Sequence, residues 1–342
     1  MSEIHINKGH DIKMFGSPER DIIDKSDVPY ILLDPRDYRG VKPKMIVKEG
    51  DSVKKGSPIF YNKLFPDMIF TSPVCGRVVS IVYGARRVVE SVKIEIEGSE
   101  QEIFDVPSMD SLNSENISEI LLKSGLWASI RQRPFSKIPI PGKNSPKSIF
   151  VSAKNTAPYS MDVEYALSNR KEDIENGFSI IKKCFDCDIN LVVDYSSNMS
   201  LFENLSHVNI HKFSGPHPSG NTGIHIHHID PIGSKDDVVY YLSLQSVADI
   251  GLFFNKKSIS STKMISVGGE GLIKPAYYKI AKGSPISQIL SEENLDESSR
   301  IVSGDILSGL DREIDQGLDS YHEILSVIKE DDEREFLGWI LP

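Results

Sequence analysis

The segment from residue 47 to residue 81 constrains the fold of this 342-residue chain most. It alternates short apolar runs with turn signals, as VKEGDSVKKGSPIF at 47–60 and TSPVCGRVVSI at 71–81. Gly50 and Gly56 lie where the chain must turn between short strands, and Gly76 follows a further turn at Pro73. The spacing predicts a unit of short strands joined by tight turns.

This segment resembles the barrel-sandwich hybrid domain of biotin and lipoyl carriers. A carrier of that kind presents its modified lysine at a hairpin tip, which here is expected near residues 65–67. The nearest lysine, Lys63, comes too early and lacks the usual flanking pattern. The resemblance therefore implies a structural module that has the carrier fold and no swinging arm.

Composition and charge exclude several classes of protein. Apolar residues make up 39% of the chain and charged residues 26%, which is typical of a soluble chain with two or three domains. The net charge of −10 argues against a nucleic-acid binder, because phosphates require a basic face. No apolar run approaches the roughly 20 residues of a membrane span, and no signal-peptide pattern opens the chain. We expect a cytoplasmic location, or a peripheral one on the cytoplasmic face of a membrane.

The pattern of apolar residues and turn signals changes near residues 102 and 260. Residues 1–102 read as short strands, residues 103–260 as an α/β domain with a largely parallel sheet, and residues 261–342 as a β-grasp domain. Central strands are predicted at 148–153, 189–193, 208–213 and 238–242, and central helices at 114–127, 161–185 and 246–254. Ser246 and Ser284 are expected to cap helices, with Pro285 in the first helical position.

Several long strings are too specific to be generic. They are SGLW at 124–127, RPFSK at 133–137, FSGPHPSG at 213–220, GIHIH at 223–227 and FLGWILP at 336–342. With the order of the three regions, they resemble the NqrA family of the sodium-translocating NADH:quinone oxidoreductases over essentially the whole chain. Members of that family continue beyond the last string, so we expect this chain to be truncated at its C-terminus.

The resemblance implies a cofactor-free subunit, not catalytic alone, on the cytoplasmic side of the bacterial inner membrane. Its partners would be the other subunits of the complex, above all a membrane subunit, while flavins and an iron–sulfur centre belong to sister subunits. Distant relatives in respiratory complex I cradle FMN and NADH with a glycine-rich loop after a Ser-Gly-Leu helix end. Here residues 127–137 contain no glycine, so neither ligand is expected to bind.

One candidate site is the basic segment that contains Arg131, Arg133, Phe135 and Lys137. A quinone could stack on the ring of Phe135 and accept hydrogen bonds from the cationic side chains. The same composition suits a solvated connector or a docking face. The sequence leaves both interpretations open.

A second candidate group comprises Phe213, His217, His225 and His227. His225 and His227 alternate on a segment that reads as a strand, so they are expected to face the same side. No third ligand is evident, which favours polar residues of a loop or subunit contact over a metal site.

The remaining motif and the rival functions can be tested directly. The CxxC pair, Cys184 and Cys187, lacks the two further ligands that a zinc site would need, which favours a structural role.

The alternative functions are those of a stand-alone biotin- or lipoyl-type carrier and of a flavin- or metal-binding oxidoreductase. A mass increment on Lys63 would reveal the first, and a visible absorption spectrum or metal analysis the second.

Overall fold

The computed structural model describes residues 2–291, 295 and 299–330, so the string at 336–342 lies outside the described residues. The N-terminal region contains the strands β1 (Ser2–His5), β2 (Glu19–Lys25), β3 (Tyr30–Leu33), β4 (Pro43–Met45), β5 (Ser52–Val53), β6 (Pro58–Asn62), β7 (Phe65–Thr71), β8 (Gly76–Tyr83) and β9 (Val89–Ile96). The central region contains α1 (Ser114–Lys123), β10 (Arg131–Arg133), β11 (Ser148–Ser152), α2 (Val163–Ala166), α3 (Lys171–Cys184), β12 (Asp188–Asp194), β13 (Asn209–Ser214), α4 (Thr222–Ile229), β14 (Val239–Ser243) and α5 (Leu244–Lys256). The third region contains β15 (Thr262–Gly269), β16 (Ala276–Ala281), α6 (Ile286–Ile289), β17 (Ser299–Ser303), β18 (Leu310–Asp311) and β19 (Ile324–Lys329).

Two small sheets form the N-terminal barrel. One has the strand order β3-β9-β8-β5 and the other the order β4-β6-β7. In β7 the alternate side chains Met68 and Phe70 are buried, as period-two patterning requires, whereas β6 buries the adjacent Ile59 and Phe60 at a register shift. Phe60 stacks on Phe70 with ring centroids 4.4 Å apart. The turn between β6 and β7 falls at residues 63–64, because β7 already begins at Phe65. The prediction of a tip near residues 65–67 is therefore wrong, and Lys63 lies in the turn itself.

The first two strands pair outside this barrel. β1 lies parallel to β13 and joins the central sheet, and β2 lies parallel to β16 and joins the third sheet. In both places the strand covers a sheet edge whose backbone groups would otherwise lack partners. Residues 2–5 and 19–25 thus belong by pairing to sheets of the other two regions. The domain boundaries near residues 102 and 260 stay predictions.

The central sheet has the order β1-β13-β12-β11-β14-β10 and is parallel except for β10. Strands β11 to β14 fall within a residue or two of the predicted positions, whereas β1 and β10 lie in segments where no central strand is predicted. Three helix predictions need correction, and the first is that α1 ends at Lys123 and not at residue 127. The helix predicted at 161–185 is divided, since residues 167–170 separate α2 from α3. The cap of α5 is Ser243, whose hydroxyl accepts the backbone N–H of Ser246, so Ser246 lies inside the first turn.

The third sheet has the order β18-β17-β19-β15-β16-β2 and covers the short helix α6. Ser284 does not cap this helix. Its hydroxyl donates to the carbonyl of Ala281 at 2.8 Å, and Pro285 occupies the cap position. Within the described residues, none of the helices has the length and hydropathy of a membrane-spanning segment.

Helices α3 and α5 cross at two glycines on the same face of the central sheet. A β-carbon on Gly251 would lie 1.8 Å from the carbonyl oxygen of Asp173, and one on Gly177 would lie 2.0 Å from the carbonyl oxygen of Val247. The two backbones therefore touch directly, and no larger residue fits without moving a helix.

We expect Gly251→Ala to lower the free energy of unfolding by about 1–3 kcal/mol, because the added methyl group forces α3 and α5 apart. Gly223→Ala in α4 is the matched control, since no atom lies within 4 Å of its new methyl group. Urea unfolding of both variants measures the difference. Equal effects would show that the close approach of the helices does not limit stability.

Candidate functional site

A cavity of about 240 Å³ lies where the barrel, the central sheet and the third sheet meet. In the central sheet β12 lies on one side of β11 and β14 lies on the other side, so the strand order reverses at β11. Ligands of open α/β sheets bind at the carboxyl ends of strands where the strand order reverses in this way. The residues that line it include Leu32, Tyr38 and Phe70 from the barrel, Gly125, Arg131, Tyr241, Ser243, Gln245 and Asp249 from the central region, and Lys263, Lys282, Tyr321 and Glu323 from the third region.

Aromatic rings and a guanidinium group form one wall of the cavity. The ring of Tyr38 lies 4.5 Å from that of Phe70 and 5.9 Å from that of Tyr321. The guanidinium carbon of Arg131 lies 4.4 Å from the centroid of the Tyr321 ring. Within the described residues, the buried Nε of Arg131 has no hydrogen-bond partner. This wall combines flat apolar surface with a guanidinium group whose N–H donors are only partly used by the described residues.

Lys263 provides a second cation at the cavity. Its Nζ donates to the carbonyl oxygens of Asp319 at 3.1 Å and His322 at 2.9 Å, which hold the ammonium group in place. Burial lowers the pKa of Lys263 to about 8, because the charged form loses hydration that the carbonyl groups replace only in part.

A carboxylate of the third region occupies the amino end of α5. The side chain of Glu323 interacts there with Ser243 and Gln245, and burial raises the pKa of Glu323 above its ordinary value. Gln245 in turn exchanges two hydrogen bonds with the backbone of Met264, at 2.6 and 2.9 Å. The positive end of the helix dipole thus faces a carboxyl group of this chain.

Asp249 fixes the floor of the cavity. Its carboxylate accepts from Arg170 at 2.7 Å and from Lys282 at 2.6 Å, so one buried acid joins α5 to residues on either side of it. Because each charge has a partner here, this triad is a structural joint between the central and third regions.

The structure divides the first predicted group. Arg131 lines the cavity, whereas Arg133 does not, although its guanidinium carbon lies 4.9 Å from the centroid of the Tyr241 ring. The side chain of Phe135 is 72% exposed and does not line the cavity. Lys137 is half-buried, and its carbonyl accepts the N–H of Gln132 at 2.7 Å, which turns the chain back on β10.

The second predicted group lies elsewhere on the sheet. Phe213 is fully buried in β13, and its ring meets that of His225 edge-on at 4.7 Å. His225 donates through Nε2 to the carbonyl of Ser219 at 2.8 Å, and burial lowers its pKa to about 4. His217 contacts the hydroxyl of Thr156 at 3.1 Å through Nδ1. β12, β11 and β14 separate this group from β10, so the two groups do not form one site.

The expectation that His225 and His227 face the same side is wrong. They lie on helix α4, where residues two positions apart point about 200° from each other. His225 is buried and His227 is exposed. Among the residues that the structure describes, no group of three or more His, Cys, Asp or Glu side chains is placed to hold a metal ion. Burial raises the pKa of both Cys184 and Cys187 to about 11, which makes these thiols unreactive at neutral pH.

Because the pKa of Lys263 is lowered in the folded chain, the stability of the chain should depend on pH. Between pH 8 and the ordinary lysine value of 10.5, the unfolded chain binds a proton that the folded chain has released, so this group makes stability rise with pH. From about pH 7.5 to 9.5, the wild-type chain should gain about 1–2 kcal/mol of unfolding free energy relative to Lys263→Met. Urea unfolding at both pH values tests this. A constant difference between the two proteins would mean an unperturbed lysine.

Comparison with known proteins follows the same three regions. Residues 4–97 match the model of the NqrA N-terminal barrel-sandwich hybrid domain, residues 112–259 that of the NqrA second alpha/beta domain, and residues 264–312 that of the NQRA C-terminal (SLBB) domain. These matches confirm the predicted succession of folds. A chain of an NAD+-reducing [NiFe]-hydrogenase in the H2-reduced state aligns with a TM-score of 0.43 and 12% identity, over 66% of this chain and 50% of that one. At that TM-score the similarity supports no inference.

Relatives in sequence extend over nearly the whole chain. The NqrA protein of the Na(+)-translocating NADH-quinone reductase from Yersinia pestis bv. Antiqua (strain Angola) is 34% identical over 343 residues, which covers 99% of this chain and 76% of the relative. The corresponding protein of Neisseria meningitidis serogroup A is 35% identical over 346 residues, with the same coverage. The resemblance seen in the sequence is thus confirmed. The chain belongs to the NqrA family of the Na+-translocating NADH-quinone reductases, whose members are subunits of an oxidoreductase that is also a translocase.

Proposed function

We propose that this chain is a peripheral, cytoplasmic-side subunit of a sodium-pumping NADH:quinone oxidoreductase, and that its central cavity contributes to the quinone site. Sodium transport across a bilayer requires a membrane-spanning partner, on which this chain would dock. Electrons would pass through flavins and an iron–sulfur centre in sister subunits. The observation that carries the proposal is the guanidinium group of Arg131, which stacks on the ring of Tyr321 in the cavity wall and whose Nε has no hydrogen-bond partner among the described residues.

The chemistry of the cavity suits a quinone head group. Such a ligand is planar and apolar and carries two carbonyl acceptors, so it needs a flat wall and one or two donors. Tyr38, Phe70 and Tyr321 supply the wall, and Arg131 supplies a donor. The volume of about 240 Å³ is at the small end for ligand pockets, which span roughly 300–1,000 Å³. The cavity would therefore hold the head group, with the tail leaving through its opening.

Two features support a subunit without a redox cofactor. The segment 127–137 lacks the glycines that let backbone N–H groups approach a phosphate. In addition, the carboxylate of Glu323 occupies the amino end of α5, where a phosphate would otherwise find favourable charge. An FMN phosphate at this place would meet repulsion instead of a cradle.

The quinone assignment predicts different outcomes for two neighbouring arginines. Arg131→Ala should weaken binding of a quinone analogue to the assembled complex by about 1–3 kcal/mol, because it removes the donor inside the cavity. Arg133→Ala is the matched control, as Arg133 also stacks on Tyr241 but does not line the cavity.

The complex for this measurement is purified through a tagged membrane subunit. Absence of the chain from that preparation would contradict the proposed assembly, and equal affinities of the two variants would contradict the cavity as the quinone site. Phe135→Ala tests the interpretation from the sequence, in which the ring stacks on the head group. Loss of affinity in this variant alone would move the quinone to the exposed turn.

We also expect the isolated chain to bind neither FMN nor NADH. The physical reason is the lack of a phosphate cradle together with the carboxylate of Glu323. Isothermal titration calorimetry measures this, with Glu323→Gln as a variant that removes the charge and keeps the shape. Micromolar affinity of the wild-type chain for FMN would be incompatible with a cofactor-free subunit.

A further inference from the structure

The tip of the β8–β9 hairpin is a turn with arginines at both central positions. The backbone N–H of Val88 donates to the carbonyl of Ala85 at 3.3 Å and closes the turn. Arg86 and Arg87 lie between them with φ values of 54° and 57°, in the left-handed region. Hairpin turns of this geometry favour asparagine and glycine, which adopt positive φ at low cost. The turn itself therefore does not account for two arginines.

Among the described residues, neither arginine side chain has a carboxylate, carbonyl or aromatic partner. In the described part of the chain, the other arginines all have a carboxylate, carbonyl or aromatic partner. The nearby carboxylate of Glu90 pairs with Arg36 at 3.3 Å. Two unpaired cations at one tip are unusual in a chain with a net charge of −10, and they leave ten donor N–H bonds of this tip to an external acceptor.

Apolar side chains surround the two cations. Val82 is 48% exposed, Tyr83 50% and Val88 45%, although the strands beside them are well packed. A tyrosine and small apolar residues next to arginines match the two layers of a membrane interface, in which rings lie at headgroup level and arginines bind phosphate. A stable protein partner would need about 20–30 residues on each side of the contact, and the tip formed by residues 82–88 is much smaller.

We propose that the β8–β9 tip, residues 82–88, contacts the headgroup layer of an anionic bilayer. The arginines would bind lipid phosphates, and Val82, Tyr83 and Val88 would enter the boundary between headgroups and acyl chains. This inference rests on the proposed peripheral location and names the surface that touches the membrane. The attraction acts over about a Debye length, roughly 8 Å at physiological salt, so binding falls as salt rises.

The test uses the full chain and vesicles of phosphatidylcholine, with or without phosphatidylglycerol. The double variant Arg86→Asn/Arg87→Gly removes both charges and suits the left-handed turn, so the hairpin keeps its fold. Its partitioning onto anionic vesicles in a flotation assay should fall about thirtyfold, or about fivefold for each arginine. Val82→Ser/Tyr83→Ser should lower partitioning onto the same vesicles with both charges retained.

The matched control is Arg20→Gln/Arg77→Gln. It changes the net charge equally but removes exposed arginines that are ion-paired with Asp162 at 2.7 Å and Glu97 at 3.3 Å. Its partitioning should equal that of the wild-type chain. No partitioning of the wild-type chain, or an equal loss in the control, would overturn the lipid contact. If the chain still assembles with a tagged membrane subunit, that failure leaves the proposed function standing.

Discussion

The enclosure of charged groups between the three regions is the interaction on which the rest of the structure depends. Asp37 of the barrel accepts from Arg312 at 3.2 Å and from the backbone N–H of Ser320 at 2.9 Å, which ties the barrel to the third region. Asp249 ties the central region to the third through Lys282. A buried charge that loses its partner costs far more free energy than the buried pair. If the regions shifted against each other, each of these charged groups would lose its partner or would have to be hydrated again. The joint is therefore selective for one relative placement of the regions, and the cavity exists only in that placement.

Much of the local structure follows from the hydrophobic periodicity of the sequence and from the turn residues between its apolar runs. The buried strands β11, β12 and β14 are continuous apolar runs between polar turns, and their positions agree with the predicted ones to within a residue or two. The cap of α5 was missed because Ser243 and Ser246 are equivalent in composition and only the geometry of the first turn separates them. The glycine contact between α3 and α5 was also invisible, since it joins Gly177 to a helix about 70 residues later.

The errors have a common physical origin in contacts that are distant in sequence. β1 is a polar stretch of four residues, and it is a strand because the edge of β13 needs a partner. The segment from Thr222 to Ile229 alternates as a strand would, yet it forms α4 because the crossover from β13 to β14 requires a covering helix. Patterns report what one face of an element buries, and they do not report which element lies against it.

The candidate site shows the same limit more sharply. The sequence pointed to Arg131, which lines the cavity, but grouped it with Arg133, Phe135 and Lys137, which do not. Lys263, Tyr321 and Glu323 were missed because no short motif joins residues of three regions. One signal was present, since Lys263 near the start of β15 and Glu323 directly before β19 are charged residues next to buried strand residues. A charge in such a place is retained only if a partner or a function offsets its burial.

The position of these residues also determines how the cavity could respond to assembly. The aromatic wall contains Tyr38 from the barrel and Tyr321 from the third region, while the donor Arg131 belongs to the edge strand of the central sheet. A shift between the central and third regions would separate the ring of Tyr321 from the guanidinium group of Arg131, and a shift of the barrel would separate Tyr38 from Tyr321, even if each region kept its own core. Ligand affinity and the docking of the regions are therefore linked, because a ligand that binds only the assembled cavity stabilises the assembled arrangement by mass action. A protein built in this way can form a binding site from the contacts between its regions.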